Sequence, residues 1–195
     1  MDIMMHPVKF VPLHLHTHYS LLDGLSKPSQ VAERCEELGY DACAVTDHGT
    51  ISGAVSFVRA MREKGIRPIL GCEFYLSQQS ATIKEKTNRT LSHLVVLAKN
   101  KEGWNDLIAL VSKSNKDDVF YFKPRIDLDM LEEDNRNNNL ISFSGHLGSD
   151  LANILFTDWK KAYNSNTIEE TQTFLKQDWL KQASSLAERY QQIFR

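Results

Sequence analysis

Short apolar runs alternate with amphipathic stretches through residues 10–156, and that alternation limits the fold of this chain more than any other feature. Phe10 to Leu15 reads as a strand. Ser26 to Gly39 reads as a helix, with Pro28 suited to its first turn, Val31, Cys35 and Leu38 on one face, and Gly39 at its stop. Asp41 to Thr46 reads as a second strand. Thr50 to Lys64 is the clearest helix, with Ile51, Ala54, Val55, Val58 and Met61 at helical spacing and Gly65 after it. Pro68–Leu76, Leu94–Ala98 and Leu140–Ser144 read as three more strands. Trp104, Leu107, Ile108 and Val111 mark another helix, and a short one is expected near Asp150 to Phe156. Such alternation implies an α/β fold with a parallel sheet, open or closed into a barrel. Five strands are few for an eight-unit barrel, which typically takes about 250 residues.

The pattern changes after Phe156. Thr167-Ile-Glu-Glu170 is a capping-box pattern that opens a helix. Leu180, Ala183, Leu186, Ala187, Tyr190 and Ile193 then mark a second helix. Arg195 is still in helical register, and such a helix normally leads back to another strand. The sequence is therefore expected to be the front part of a longer protein, with 157–195 as a helical C-terminal segment of a single domain spanning 1–195. Ser77–Ser92 and Glu132–Asn139 read as solvated surface loops.

Of the 195 residues 42% are hydrophobic and 25% charged, which fits a soluble globular protein. The longest apolar runs, Leu94–Ala98 and Leu107–Val111, fall far short of the ~20 residues of a membrane helix. Met1 to Phe10 lacks a secretory pattern. A cytoplasmic protein with no membrane partner is the expectation. Net charge is −2, from 23 basic and 25 acidic side chains. A domain that held duplex DNA alone would show a basic excess. Nucleic acid is then either not the main ligand or is held by other parts of a larger machine. Cys35, Cys43 and Cys72 are odd in number and lack CxxC spacing, so buried reduced thiols are expected.

Histidines carry the chemical signal. His14 and His16 are two apart in an expected strand and so share a face. Thr46-Asp47-His48-Gly49 leaves the second strand, at the edge where ligands of parallel α/β folds gather. Asp47 could hold the His48 imidazole from behind, ligate directly, or simply cap the following helix. Glu73 lies in an otherwise apolar strand, where a carboxylate needs a partner, and a bridge between two cations would supply one. His146 follows Ser144-Gly145 off the fifth strand, and Gly145 would permit close backbone approach. His93 begins the fourth strand, the wrong end for a simple barrel mouth. Mixed imidazole and carboxylate ligands suit Zn²⁺, Mn²⁺ or Fe²⁺ more than Mg²⁺ or Ca²⁺. The set exceeds one tetrahedral site, so two or three divalent ions are expected, with a metal-activated water hydrolysing a phosphoester. Tyr121-Phe-Lys123-Pro-Arg125 mixes aromatic and basic groups. It could contact a phosphate backbone through Lys123 and Arg125 or serve as plain packing. There is no GxSxG, no Walker A and no GxGxxG after a strand.

The ordered set His14-Leu-His16-Thr-His-Tyr-Ser-Leu-Leu-Asp23-Gly, Thr46-Asp47-His48-Gly49, Gly71-Cys-Glu73, His93-Leu-Val-Val-Leu, Lys123-Pro-Arg-Ile-Asp127 and Ser144-Gly145 resembles the PHP (polymerase and histidinol phosphatase) domain. It is most similar to the polymerase branch, the N-terminal PHP region of bacterial replicative DNA polymerase III alpha subunits. The resemblance implies a distorted (β/α)7 TIM-like barrel, incomplete at its C-terminal end, with a trinuclear metal cleft. It implies metal ligands at His14, His16, His48, Glu73 and His93, with Asp23 at a further ligand position and His146 where the family has Cys or His. The Asp-x-His pair that closes the family's site does not occur in these residues. Implied partners are DNA through a larger polymerase, the remaining polymerase domains, and proofreading or other replisome subunits. A free-standing phosphatase of small esters and a non-catalytic scaffold are the alternatives.

Overall fold

The sheet is built on one long strand, β2 (Arg67–Ser77). The computed structural model describes residues 10–135, 137–163, 167 and 179–194. One edge of β2 is paired in turn by β1 (Ala42–Val45), by His48 opposite Glu73, and by the two-residue β4 (Arg125–Ile126), all in parallel. The other edge carries β3 (Leu91–Ala98) antiparallel, and β5 (Leu140–Phe143) extends the sheet antiparallel to β3. The α/β class holds, but the expectation of an all-parallel sheet does not. Between β2 and β3 the chain forms only a loop with one 3-10 turn (Lys86–Asn88), and no α-helix is present to carry the parallel crossover.

Side-chain alternation along β2 then divides two environments. Cys72, Phe74 and Leu76 face an apolar core with Leu94 and Val96 of β3. Helix α3 (Lys101–Ser114), helix α4 (Leu128–Asp134) and the last described helix, α6 (Trp179–Ile193), cover this face through Leu107, Leu110, Leu131 and Ile193. Asn100 caps α3 by accepting from Gly103 N (2.8 Å), and Asp127 caps α4 by accepting from Met130 N (2.9 Å). Glu73 and Tyr75 point the other way, toward the N-terminal segment.

Helix α1 (Pro28–Glu37) and helix α2 (Ala54–Glu63) form a second apolar group, where Val31, Ala32 and Cys35 meet Cys43, Val45, Phe57 and Met61. Helix α2 starts at Ala54 instead of Thr50 because Ala54 N bonds Ile51 O (3.0 Å) and closes a turn first. The expected first strand is an extended segment, tied to β1 by Ala44 N to Pro12 O (2.8 Å) and Thr46 N to Leu15 O (2.9 Å). Helix α5 (Asp150–Tyr163) follows His146. Apart from Thr167, the expected helix start at Thr167–Glu170 lies outside the described residues. No helix among them is long and apolar enough to cross a membrane.

Candidate metal centre

Glu73 has no exposed surface, and the partners of its carboxylate among the described residues are all imidazoles. Its Oε2 meets His14 Nε2, and His16 Nε2 lies 3.0 Å away. Its Oε1 meets His93 Nδ1, and His146 Nε2 lies 2.9 Å away. His48 Nδ1 stands 3.8 Å from the same oxygen. On its far side, His48 Nε2 contacts Asp23 Oδ2 at 2.6 Å. Each of the expected ligands (His14, His16, Asp23, His48, Glu73, His93 and His146) therefore reaches one cluster.

The register of β3 accounts for His93, whose place at the start of its strand had no geometric reading in the sequence. β3 runs antiparallel to β2, so its beginning lies beside the end of β2, with His93 opposite Tyr75 and Val95 opposite Glu73. His93 thus shares a face with Glu73 and Tyr75. His146 comes in from the turn after β5, where Gly145 has φ +80° and packs against the His14 ring.

Asp47 does not hold His48. It is buried and accepts from Thr17 N (2.6 Å), the Thr17 hydroxyl and the Ser20 hydroxyl (2.8 Å). These bonds fix the turn that carries His16 and Asp23. The single Ser20 proton goes to Asp47, so Ser20 Oγ is left to accept from His48 N (3.1 Å) and His16 Nδ1 (3.4 Å). That places a proton on His16 Nδ1 and leaves its Nε2 facing Glu73. Sequence reasoning missed Thr17 and Ser20. Their position within four residues of His16 was the one available signal.

Two basic residues read as substrate contacts have different fates. Lys123 reaches the rim, with its ammonium 4.2 Å from the Tyr75 ring centroid. Arg125 is fully buried and donates to Val119 O (3.0 Å), Asn88 O (2.9 Å) and Ile83 O (2.8 Å). Its guanidinium is used up in holding loops together, so the substrate-contact reading of Arg125 is replaced by a structural one.

Electrostatics follow from the crowding. Burial pushes the Glu73 carboxyl upward, but hydrogen bonds from His14, His16, His93 and His146 outweigh it and hold it well below the ordinary carboxylate range. Burial also lowers His48, reinforced by His16 and His93. For His16, burial is outweighed by Glu73, and its pKa rises. The centre is a buried carboxylate ringed by imidazoles.

That donor set suits divalent cations. His14/His16/Glu73, His16/Asp23/His48 and His48/Glu73/His93 each bring three ligand atoms within 4.8 Å of one another, and they share His16, His48 and Glu73. His48 Nδ1 is buried without a hydrogen-bond partner among the described residues. Its 3.8 Å separation from Glu73 Oε1 is too long for a hydrogen bond. It matches two ligands that each lie about 2.1 Å from a common ion.

A family model described as the PHP domain matches residues 12–195. DNA polymerase III subunit alpha of Chlamydia pneumoniae is 36% identical over 194 residues, covering 89% of this chain and 15% of that protein. The subunit of the same name from Helicobacter pylori is 35% identical over 185 residues, covering 95% and 14%. That of Treponema pallidum is 36% identical over 156 residues, covering 79% and 13%. The chain spans 13–15% of the length of these curated relatives.

Proposed function

The chain belongs to the PHP-domain family, and from that premise we propose that it is the N-terminal PHP region of a bacterial replicative DNA polymerase, with a cluster of two or three divalent ions that hydrolyses phosphodiester linkages. One observation carries the reading: a fully buried carboxylate, Glu73, surrounded by five imidazoles and no lysine or arginine among the described residues. A lone buried anion is costly unless compensated, and the shared ligands suit adjacent ions better than one. Imidazole nitrogens favour Zn²⁺, Mn²⁺ or Fe²⁺ over Mg²⁺.

Bound ions would supply Lewis acidity and an activated water for in-line attack at phosphorus. The chain's own residues do the positioning. Glu73 would hold the ions from the buried side, His14 and His16 from the side of its Oε2, and His48 and His93 from the side of its Oε1. Asp23 and His146, both on the solvent side, set the mouth through which a phosphodiester enters. Residues 157–195 belong to the same domain in this reading, supported by Ile193 in the core and by Asn135 Nδ2 donating to Ile193 O (2.6 Å). DNA would arrive through the rest of the polymerase in the cytoplasm, in keeping with the net charge of −2. The other polymerase domains and proofreading or other replisome subunits are the expected partners.

The double variant His14→Ala/His16→Ala tests the reading. Elemental analysis of the purified protein is expected to show most of its zinc, manganese or iron lost relative to the unaltered chain. Unchanged metal content would contradict the cluster.

A further inference from the structure

A metal-binding imidazole is ordinarily aimed by a hydrogen bond from its second ring nitrogen. His48 has no such bond. Its Nδ1 is orphaned among the described residues, and its Nε2 faces Asp23 at 2.6 Å inside the same cluster. Other rings surround it instead. His16 lies nearly parallel to it (4.1 Å between centroids, 14°), Tyr75 nearly parallel (5.7 Å, 18°) and His93 edge-on (5.3 Å, 86°). His16 and His93 are themselves expected ligands, and Tyr75 alone of the three belongs to no ligand set.

Tyr75 is held on every side. It lies two residues after Glu73 on the same face of β2, and its backbone is flanked by His93 of β3 and Arg125 of β4. Its ring is edge-on to His93 (5.2 Å, 73°). The Lys123 ammonium stands 4.2 Å from the ring centroid. Gly49, next to His48, has φ +61°, and a β-carbon there would stand 3.3 Å from a Tyr75 ring carbon and 2.8 Å from Pro124 Cγ. Glycine therefore lets the chain that carries His48 lie flush against the ring.

We propose that Tyr75 is a positioning residue of the metal centre. Its ring fixes the planes of His48 and His93, so that the ligand atoms of His48, Glu73 and His93 stay gathered within 4.8 Å of one another for an ion. Ring packing here takes the place of the hydrogen bond that orients most ligating imidazoles. That suits a buried site, where one more polar group would itself need a partner. Lys123 acts through Tyr75, steadying the ring with its cation. The ring does this work and the hydroxyl does not, so phenylalanine can replace Tyr75 and an aliphatic residue cannot. The role rests on the cation-cluster reading above and adds the part that sets ligand geometry.

The test uses the intact chain, stripped of metal and titrated with cobalt(II), whose visible absorption reports ligand geometry. Tyr75→Phe is expected to bind cobalt within about twofold of the unaltered chain, with the same visible bands. Tyr75→Leu is expected to lose about tenfold or more in affinity, with weakened or shifted bands. Histidine ring signals in NMR spectra of the metal-free chains give a second readout. In Tyr75→Leu the His48 and His93 signals broaden, while those of exposed His18 stay sharp. Lys123→Gln, at an exposed position that does not put folding at risk, broadens the same two signals to a lesser degree. The proposal is overturned if those signals stay sharp in every folded variant lacking the ring or the cation. It is also overturned if Tyr75→Leu binds cobalt within about twofold of the unaltered chain with the same bands. A loss in Tyr75→Phe as large as that in Tyr75→Leu overturns it too, by assigning the role to the hydroxyl. An unaltered chain that takes up no cobalt would sink the cation cluster alone, and the metal-free ring signals would still decide for or against Tyr75.

Discussion

Ser20 is a small residue with an outsized position. Its hydroxyl donates to Asp47 and accepts from His48 N and His16 Nδ1, so one oxygen orients two expected ligands. Ser20→Ala is expected to lower metal affinity about 10–100-fold, as loss of an orienting partner does elsewhere. The fold should persist, with a stability loss of about 1–3 kcal/mol for the unsatisfied groups. Metal-binding calorimetry with a parallel thermal melt checks both, and unchanged affinity would mean that His16 is oriented by other contacts. The contrast with the ligands shows what a sequence can disclose at this scale. Imidazoles and acids at strand ends are rare and chemically specific, so His14, His16, His48, Glu73 and His146 stood out. Hydroxyls such as Thr17 and Ser20 occur everywhere, and none of the three roles open to Asp47 in the sequence included accepting from them.

Among the elements, β2 decides the site. Its alternation sends Cys72, Phe74 and Leu76 to the core and Glu73 to the cluster, a division visible in the sequence once the strand was recognised. The sense of β3 was not visible, because local pattern carries strand identity but not pairing direction, and His93 stayed unexplained until the antiparallel register placed it. The two-residue β4 was too short to announce itself, and its Arg125 looked like a surface cation. In the fold that residue ties the 77–92 loop and the segment before β4 to the sheet. Lysine has no planar fork to reach three carbonyls. Arg125→Lys is therefore expected to destabilise the chain by about 3 kcal/mol or more, since buried acceptors lose their donors. Chemical denaturation measures the loss, and amide exchange should speed up first around Ile83, Asn88 and Val119. A loss below about 1 kcal/mol would mean that water replaces the guanidinium without penalty.

Taken as a whole, the molecule builds one centre from side chains far apart in sequence, from His14 in an extended segment to His146 after β5, with Glu73 as the common point. Occupancy should tie those segments together, so metal binding and folding are one equilibrium. The strand–helix alternation pointed to the α/β class that the sheet and its helices show, but neither it nor the composition could show that the ligands converge. Anomalous diffraction at the zinc or manganese edge, from crystals grown with the metal, asks this directly. The account predicts strong peaks about 2.0–2.3 Å from Glu73 carboxylate oxygens and from imidazole nitrogens of His14, His16, His48 and His93. Ordered density for these side chains with no anomalous peak between them, or peaks only elsewhere on the surface, would contradict it.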